Sequence, residues 1–239
     1  MVLSLLALAL APGLAIAFFI YSRDKYDREP LRNLVISFML GVASTIPAII
    51  FQTKFQPVLD ASFSPYSISY YVVFAFVLVA FSEEGSKFLM LRFYAYRQPA
   101  FNEPFDGIIY SVMVSMGFAT FENIWYVLEN GFATGVLRMF LSVPAHAAFG
   151  VLMGFHAGLA KFDHHRPVLR LLTGLLLAIV FHGGFDFFLF LQKNPNVTRY
   201  VSNGILAFGA VVCYWIAMRL AWRAIRIHQN LSKEVFENP

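Results

Sequence analysis

Charge is scarce in this chain. Only 13% of its 239 residues are Asp, Glu, Lys or Arg, against roughly a quarter in an average soluble domain. A soluble protein of this size exposes too much surface to hide an apolar fraction of 59%. Cysteine is almost missing as well. The lone Cys213 excludes an internal disulfide and any Cys-rich metal site, and inside its apolar run it reads as a small buried hydrophobe. No basic segment precedes the first apolar run, so that run reads as a retained span and not as a cleaved leader. A net charge of +4 comes without a stacking or basic-stripe motif, which tells against nucleic acid as a partner.

Long hydrophobic runs are what the chain does have. A helix needs roughly 20 apolar residues to cross the hydrocarbon core, and such runs lie near 2–21, 33–51, 67–91, 105–128, 133–160, 168–192 and 200–221. Alternation is absent and each run is far longer than a barrel strand. The expected fold is therefore an all-α integral membrane protein of about seven transmembrane helices, with residues 1–239 forming one polytopic domain in the lipid bilayer. Turn chemistry separates the runs at Asp27-Arg28-Glu29-Pro30, Phe63-Ser64-Pro65, Gln98-Pro99, Glu129-Asn130-Gly131 and Lys193-Asn194-Pro195-Asn196.

The basic residues set an orientation. Arg23, Lys25, Arg28, Arg32, Arg92, Arg97, Lys161, Arg166, Arg170, Arg219, Arg223, Arg226 and Lys233 share one side of a seven-span topology. Lys54, Arg138, Lys193 and Arg199 fall on the other. Positive charge collects in the cytoplasm, so the N-terminus is expected outside and the C-terminus in the cytoplasm. This placement accounts for the positive net charge.

Against that apolar background, ionisable residues inside the spans are conspicuous: Glu83, Glu84 and Lys87 on the third, Glu122 and Asn123 on the fourth, His146 and His156 on the fifth, His182 and Asp186 on the sixth. A charged side chain at mid-membrane costs about 2.5–3.5 kcal/mol, so these acids and the lysine would cost on the order of 10 kcal/mol facing lipid. They are expected to face each other or a water-filled cavity. Helical spacing lets Lys87 reach Glu83 (i,i+4) or Glu84 (i,i+3), and puts His182 and Asp186 on one face. His146, Gly150 and Gly154 step along one face of the fifth run, where small residues admit a close neighbour. Fully ionised, Glu83, Glu84, Glu122 and Asp186 against Lys87 carry −3. That load calls for protonated carboxyls, cationic histidines or a metal. His156 reads as structural, and Asp106 as a helix-start acid favoured by the dipole. His164, His165 and His228 fall in loops or the tail.

Several chemistries lack their signatures. There is no His-Glu-x-x-His zinc helix and no P-loop lysine. Gly-x-Ser and Gly-x-Gly are absent, which counts against rhomboid-like serine and presenilin-like aspartyl proteases. No repeated half with broken helices suggests an inverted-repeat transporter.

The run Phe81-Ser82-Glu83-Glu84-Gly85-Ser86-Lys87 resembles the Glu-Glu-x-x-Lys motif of the PrsW-type membrane proteases. Phe105-Asp106-Gly107 leading into Phe118-Ala119-Thr120-Phe121-Glu122-Asn123 is similar to that family's second motif. His146-Ala147-Ala148-Phe149 and His182-Gly183-Gly184-Phe185-Asp186 are similar to its third and fourth, and Asp27-Arg28-Glu29-Pro30 to its usual first loop. The resemblance covers roughly residues 20–190. It implies site-directed proteolysis in the cell membrane, in a prokaryote the cytoplasmic membrane. The implied partner is a membrane-protein substrate, with a single-span anti-sigma factor as the best-known kind. The related CAAX-prenyl endopeptidases are regarded as glutamate-dependent. Their pattern differs at Lys87, Glu122 and Asp186, which tells against a CAAX substrate.

Amide hydrolysis needs an activated water, a proton for the leaving amine and a partner for the oxyanion. Glu83 or Glu84 is the candidate general base, Glu83 being favoured by the resemblance. His146 is the candidate to orient the water, and His182 and Asn123 to donate to the oxyanion. Lys87 would hold the adjacent carboxylate and Asp186 a neighbouring side chain. No cofactor is required by this scheme. A metal-dependent version places Zn²⁺ among His146, His182, Glu83 and Glu122. A proton-coupled transporter using the same side chains as a relay is the competing class, and a scaffold in which they fix helix packing is a third.

Overall fold

A computed structural model describes residues 2–162 and 165–237, and these are helical throughout their regular elements. In chain order the elements are α1 (Val2–Arg23), α2 (Leu31–Ala43), α3 (Thr45–Ser62), α4 (Ile68–Val72) and a π-helix (Val73–Phe81). They continue with α5 (Ser82–Phe93), a 3₁₀ turn (Ala95–Arg97), α6 (Pro104–Phe140), α7 (Ser142–Phe162), α8 (Pro167–Leu191), α9 (Pro195–Thr198) and α10 (Asn203–Glu237). Five stretches are long and apolar enough to cross a membrane: Val2–Arg23, Leu31–Ser62, Pro104–Phe162, Pro167–Leu191 and Asn203–Glu234. Large apolar side chains point outward along them, among them Leu3, Phe18, Val168 and Phe208. Such a surface is stable only where lipid is the solvent, and the chain is accordingly a multi-pass membrane protein.

Two of the expected runs take forms that hydropathy does not reveal. The run near 67–91 is interrupted by the nine-residue π-helix, which joins α4 directly to α5. Its all-apolar sequence supports any helix type, and the wider π turn resets the angular position of Ser82–Lys87 relative to the entering helix. The run near 105–128 and the start of the run near 133–160 both belong to α6, which folds back on itself at Gly131. That residue has φ 79° and ψ −167°, a region that side chains with a Cβ rarely enter. In a straight helix, residues 16 apart are separated by about 24 Å. Arg138 nevertheless bonds to Glu122 at 2.7 Å. The chain therefore reverses at Gly131, and Phe132–Phe140 runs antiparallel to the end of the preceding helix.

The core is built around α6. It packs most extensively on α7, then on α1 and α2. Gly107 and Gly154 face each other there, and a Cβ on either would collide with the other helix's backbone, which is the close approach expected of the small-residue face. Helix α6 begins with a capping box in which Glu103 is the N-cap, Pro104 follows, and Asp106 reaches back. Asp106 Oδ2 accepts from the Asn102 and Glu103 amides, both at 2.8 Å, so it is the helix-start acid expected.

One end of the bundle, here the basic end, gathers the 24–30 connection, the start of α6 and the tail. Helix α10 continues well beyond the apolar run near 200–221. Its Ser232 Oγ accepts from Phe105 N at 3.1 Å, and Gln229 donates to Arg23 O at 2.9 Å. His228 lies in this extension, as expected of the tail, but the docking buries it fully and stacks it on Phe155 at 4.3 Å. His164 lies outside the described residues.

Candidate active site

The expected polar residues converge from four elements, α5, α6, α7 and α8. The α5 register following the π-helix buries Glu83, Glu84 and Lys87 together. Lys87 Nζ lies 2.7 Å from Glu84 Oε1 and 3.8 Å from Glu83 Oε2, so its stronger partner is Glu84. His182 Nδ1, from α8, lies 2.8 Å from the same Glu84 oxygen. Its Nε2 faces Asp186 Oδ2 at 3.3 Å and Glu83 Oε2 at 3.9 Å. His146, from α7, has Nδ1 3.0 Å from Lys87 Nζ and Nε2 3.0 Å from Glu122 Oε2. An ammonium only donates, so Nδ1 is the acceptor of this pair and Nε2 carries the proton given to Glu122. The imidazoles of His146 and His182 meet edge to face with centroids 5.1 Å apart.

These groups lie at a cavity of about 780 Å³. Glu83, Glu122, His146, His182 and Asp186 line it. Glu84, Lys87 and Asn123 stand behind that lining and act on it through their bonds. The cavity reaches toward the end opposite the basic loops, where Tyr70, Glu129 and Lys193 line it. Phe74, Trp125, Phe185 and Phe190 give it apolar walls.

Glu83 occupies an unusual place. It is buried, its Oε1 is approached by Gln52 Nε2 at 3.5 Å, and its Oε2 has no hydrogen-bond partner. Glu83, His146 and His182 each offer one ligand atom, and the three atoms lie within 4.8 Å of one another. Carboxylate and imidazole donors suit zinc, and the bond from Glu84 to His182 Nδ1 is the kind of outer contact that fixes a ligating imidazole. The residues present therefore fit a metal. Glu122 departs from the expected ligand set of four: its Oε2 is taken by Arg138 and His146. Asn123 departs from the role of oxyanion donor. Its Nδ2 is given to Ala9 O at 2.9 Å and its Oδ1 accepts from Arg138 Nε at 3.0 Å.

A family described as PrsW family intramembrane metalloprotease matches residues 29–220. The chain belongs to the PrsW family. It is 37% identical over 216 residues to "Protease PrsW" of Geobacillus kaustophilus, covering 90% of each chain. It is 36% identical over 213 residues to the Shouchella clausii protein of that name, covering 89% of this chain and 93% of the relative. With the Clostridioides difficile protein so named it shares 33% identity over 245 residues, covering 99% and 96%. No solved structure matches the chain. Membership of the PrsW family makes this chain a membrane peptidase.

Three features of this PrsW site escape sequence reasoning. Arg138 reads as a charge of the connection side, yet the reversal at Gly131 returns it to Glu122. Gln52 sits in an apolar run without a spacing partner, and reaches Ser82 and Glu83 from α3. The Lys87–His146 contact joins residues 59 apart. Only the Glu129-Asn130-Gly131 turn hints at the first of these, by marking where a reversal belongs.

Proposed function

We propose that the cavity is the catalytic centre of an intramembrane endopeptidase that cleaves membrane-protein substrates with a water activated at Glu83. The observation that carries this reading is the convergence of Glu83, His146 and His182 at the cavity lining, with Glu83 Oε2 unpartnered. That oxygen accepts the proton of a water held at the cavity lining beside the two imidazole rings, and later returns it to the leaving amine. Glu84, fixed by Lys87 and His182, serves as an orienting group and leaves His182 Nε2 turned toward the reacting atoms. Glu84 holds the ring through Nδ1, and the Nε2 proton, which faces Asp186 at 3.3 Å in the resting site, is the donor that turns to the developing oxyanion. The bundle is read as crossing seven times, since α6 reverses at Gly131 and α4 to α5 adds a crossing through the π-helix. In this topology the basic end faces the cytoplasm and the N-terminus lies outside. The host membrane is then a prokaryotic cytoplasmic membrane, and a single-span anti-sigma-like protein is the expected kind of substrate.

A second reading is favoured by the same three side chains. Glu83, His146 and His182 would hold zinc, which when bound supplies a Lewis acid and a water ionised near neutral pH. His146 would then carry its proton on Nδ1, turning Lys87 fully onto Glu84 and Glu83, and Glu122 would become the carboxylate left to handle a proton.

Both readings are tested with purified protein in liposomes and a panel of single-span membrane peptides, with fragments identified by mass spectrometry. Specific fragments lost in Glu83→Ala but kept under a chelator support the glutamate form. Loss under both conditions, with recovery on adding zinc, supports the metal form. No cleavage by wild type, together with ligand-dependent ion flux, would contradict both in favour of transport.

A further inference from the structure

We infer that Arg138 is a positioning residue for this site, holding the Glu122 carboxylate against His146 and so fixing the orientation of an imidazole that lines the cavity. The inference rests on reading the cavity as the peptidase centre. Arg138 makes three contacts after the reversal at Gly131. Nη2 donates to Glu122 Oε2 at 2.7 Å, Nε donates to Asn123 Oδ1 at 3.0 Å, and Cζ sits 4.2 Å over the Tyr126 ring. The same Glu122 oxygen meets His146 Nε2 at 3.0 Å. Asn123 is itself anchored to α1 through Ala9 O. The guanidinium therefore ties three segments, α1, the outgoing part of α6 and its returning arm, to one carboxylate oxygen that touches the site.

The residue type matters. A guanidinium presents donors in a rigid fork and serves two acceptors at once, whereas an ammonium offers a point charge on a flexible stem. Glu122 borders the cavity beside Glu83. Among the described residues, Arg138 and His146 are the hydrogen-bond partners of that carboxylate, and a displacement of about 1 Å at a reacting centre costs on the order of 100-fold in rate. Arg138 also lines the cavity, but it bonds to neither Glu83 nor His182, and among its contacts Glu122 is the one bonded to a site imidazole.

The test compares wild type, Arg138→Gln, Arg138→Lys, Glu122→Gln and the double variant Arg138→Gln/Glu122→Gln in the liposome cleavage assay. Thermal unfolding confirms that each is folded. Arg138→Gln is expected to lower kcat about 100-fold with KM changed less than about twofold, and Arg138→Lys to recover about a tenth or more of wild-type kcat. The double variant is expected to be no slower than Glu122→Gln alone, because residues that act as a unit are not additive. NMR of the imidazole nitrogens supplies a readout independent of cleavage: His146 carries its proton on Nε2 in wild type and loses that preference in Arg138→Gln. Additive losses in the double variant, a change confined to KM, or an unaltered His146 tautomer would overturn the inference. If wild type cleaves nothing while the tautomer still depends on Arg138, the peptidase reading fails and the positioning role stands.

Discussion

Two clusters of buried carboxyls sit at different depths along α6, and they are built on opposite plans. Around Glu122 every acid has a cation or an imidazole within 4 Å: Glu83 and Glu84 have Lys87, Glu122 has Arg138, and Asp186 has His182. At the basic end Asp24, Glu29, Glu103 and Asp106 are all buried, more so than the half-buried Glu122 and Asp186, yet none of the four forms an ion pair among the described residues. Their bonds are to backbone amides and hydroxyls: Asp24 Oδ2 accepts from Glu29 N at 2.9 Å, Asp106 caps α6, and Tyr110 donates to Glu29. The consequence is visible where these groups stand outside the spans. Burial raises the Asp24 carboxyl above its ordinary range, and burial pushes Glu29 and Glu103 up to about 7. Burial alone therefore does not make a reactive site. Interleaved cations and imidazoles let several carboxyls share one place, and the cluster without them is a set of protonatable struts.

The contrast can be broken at several points. The largest effect is expected from Glu83→Gln, which should lower kcat about 10³-fold in a protein whose unfolding temperature is unchanged, as read by cleavage and thermal melts. Lys87→Met should cost about 3–5 kcal/mol of stability, because removing one partner of a buried pair strands the other. Lys25→Met at the exposed basic end should cost nothing measurable in denaturant titrations run beside it. Glu29→Gln should act in the reverse sense and depend on pH. The folded protein holds the Glu29 proton more tightly than the unfolded chain, from 4.5 to about 7, so wild-type stability falls as pH rises through that window. Glu29→Gln, neutral throughout, should be about 1–2 kcal/mol more stable than wild type at pH 8, after allowing for screening. It should equal wild type below pH 4.5. Tyr110→Phe, which removes one donor to Glu29, should cost about 1 kcal/mol at pH 5, where Glu29 is protonated, and more at pH 8, where the lost donor served a carboxylate.

The apolar runs were legible because a bilayer demands them, and their limits near 2–21 and 168–192 lie within a few residues of α1 and α8. Glu83, Glu84 and Lys87 were legible from helical spacing, and His182 with Asp186 for the same reason. What could not be read depends on backbone torsions and distant partners. Hydropathy cannot distinguish a π turn from an α turn in Val73–Phe81, yet that turn sets where Glu83 points. Arg138 becomes part of the site only through the positive φ at Gly131. Asp24 and Glu29 look like loop acids until the end of α10 covers the base of α6 through Ser232. The different surroundings of Glu83 and Glu84 were equally hidden, because adjacent residues on a helix differ only in what other helices bring to them.

The most direct test of the contrast is a side-by-side cleavage measurement, in the same liposomes, of Glu83→Gln and of the double variant Glu29→Gln/Glu103→Gln. Both changes remove buried carboxyls by the same isosteric substitution, one in the cluster with cations and one in the cluster without. The account predicts loss of cleavage in the first and wild-type kcat in the second, which should also gain stability at pH 8. Equal loss of cleavage in both, with both proteins folded, would contradict it.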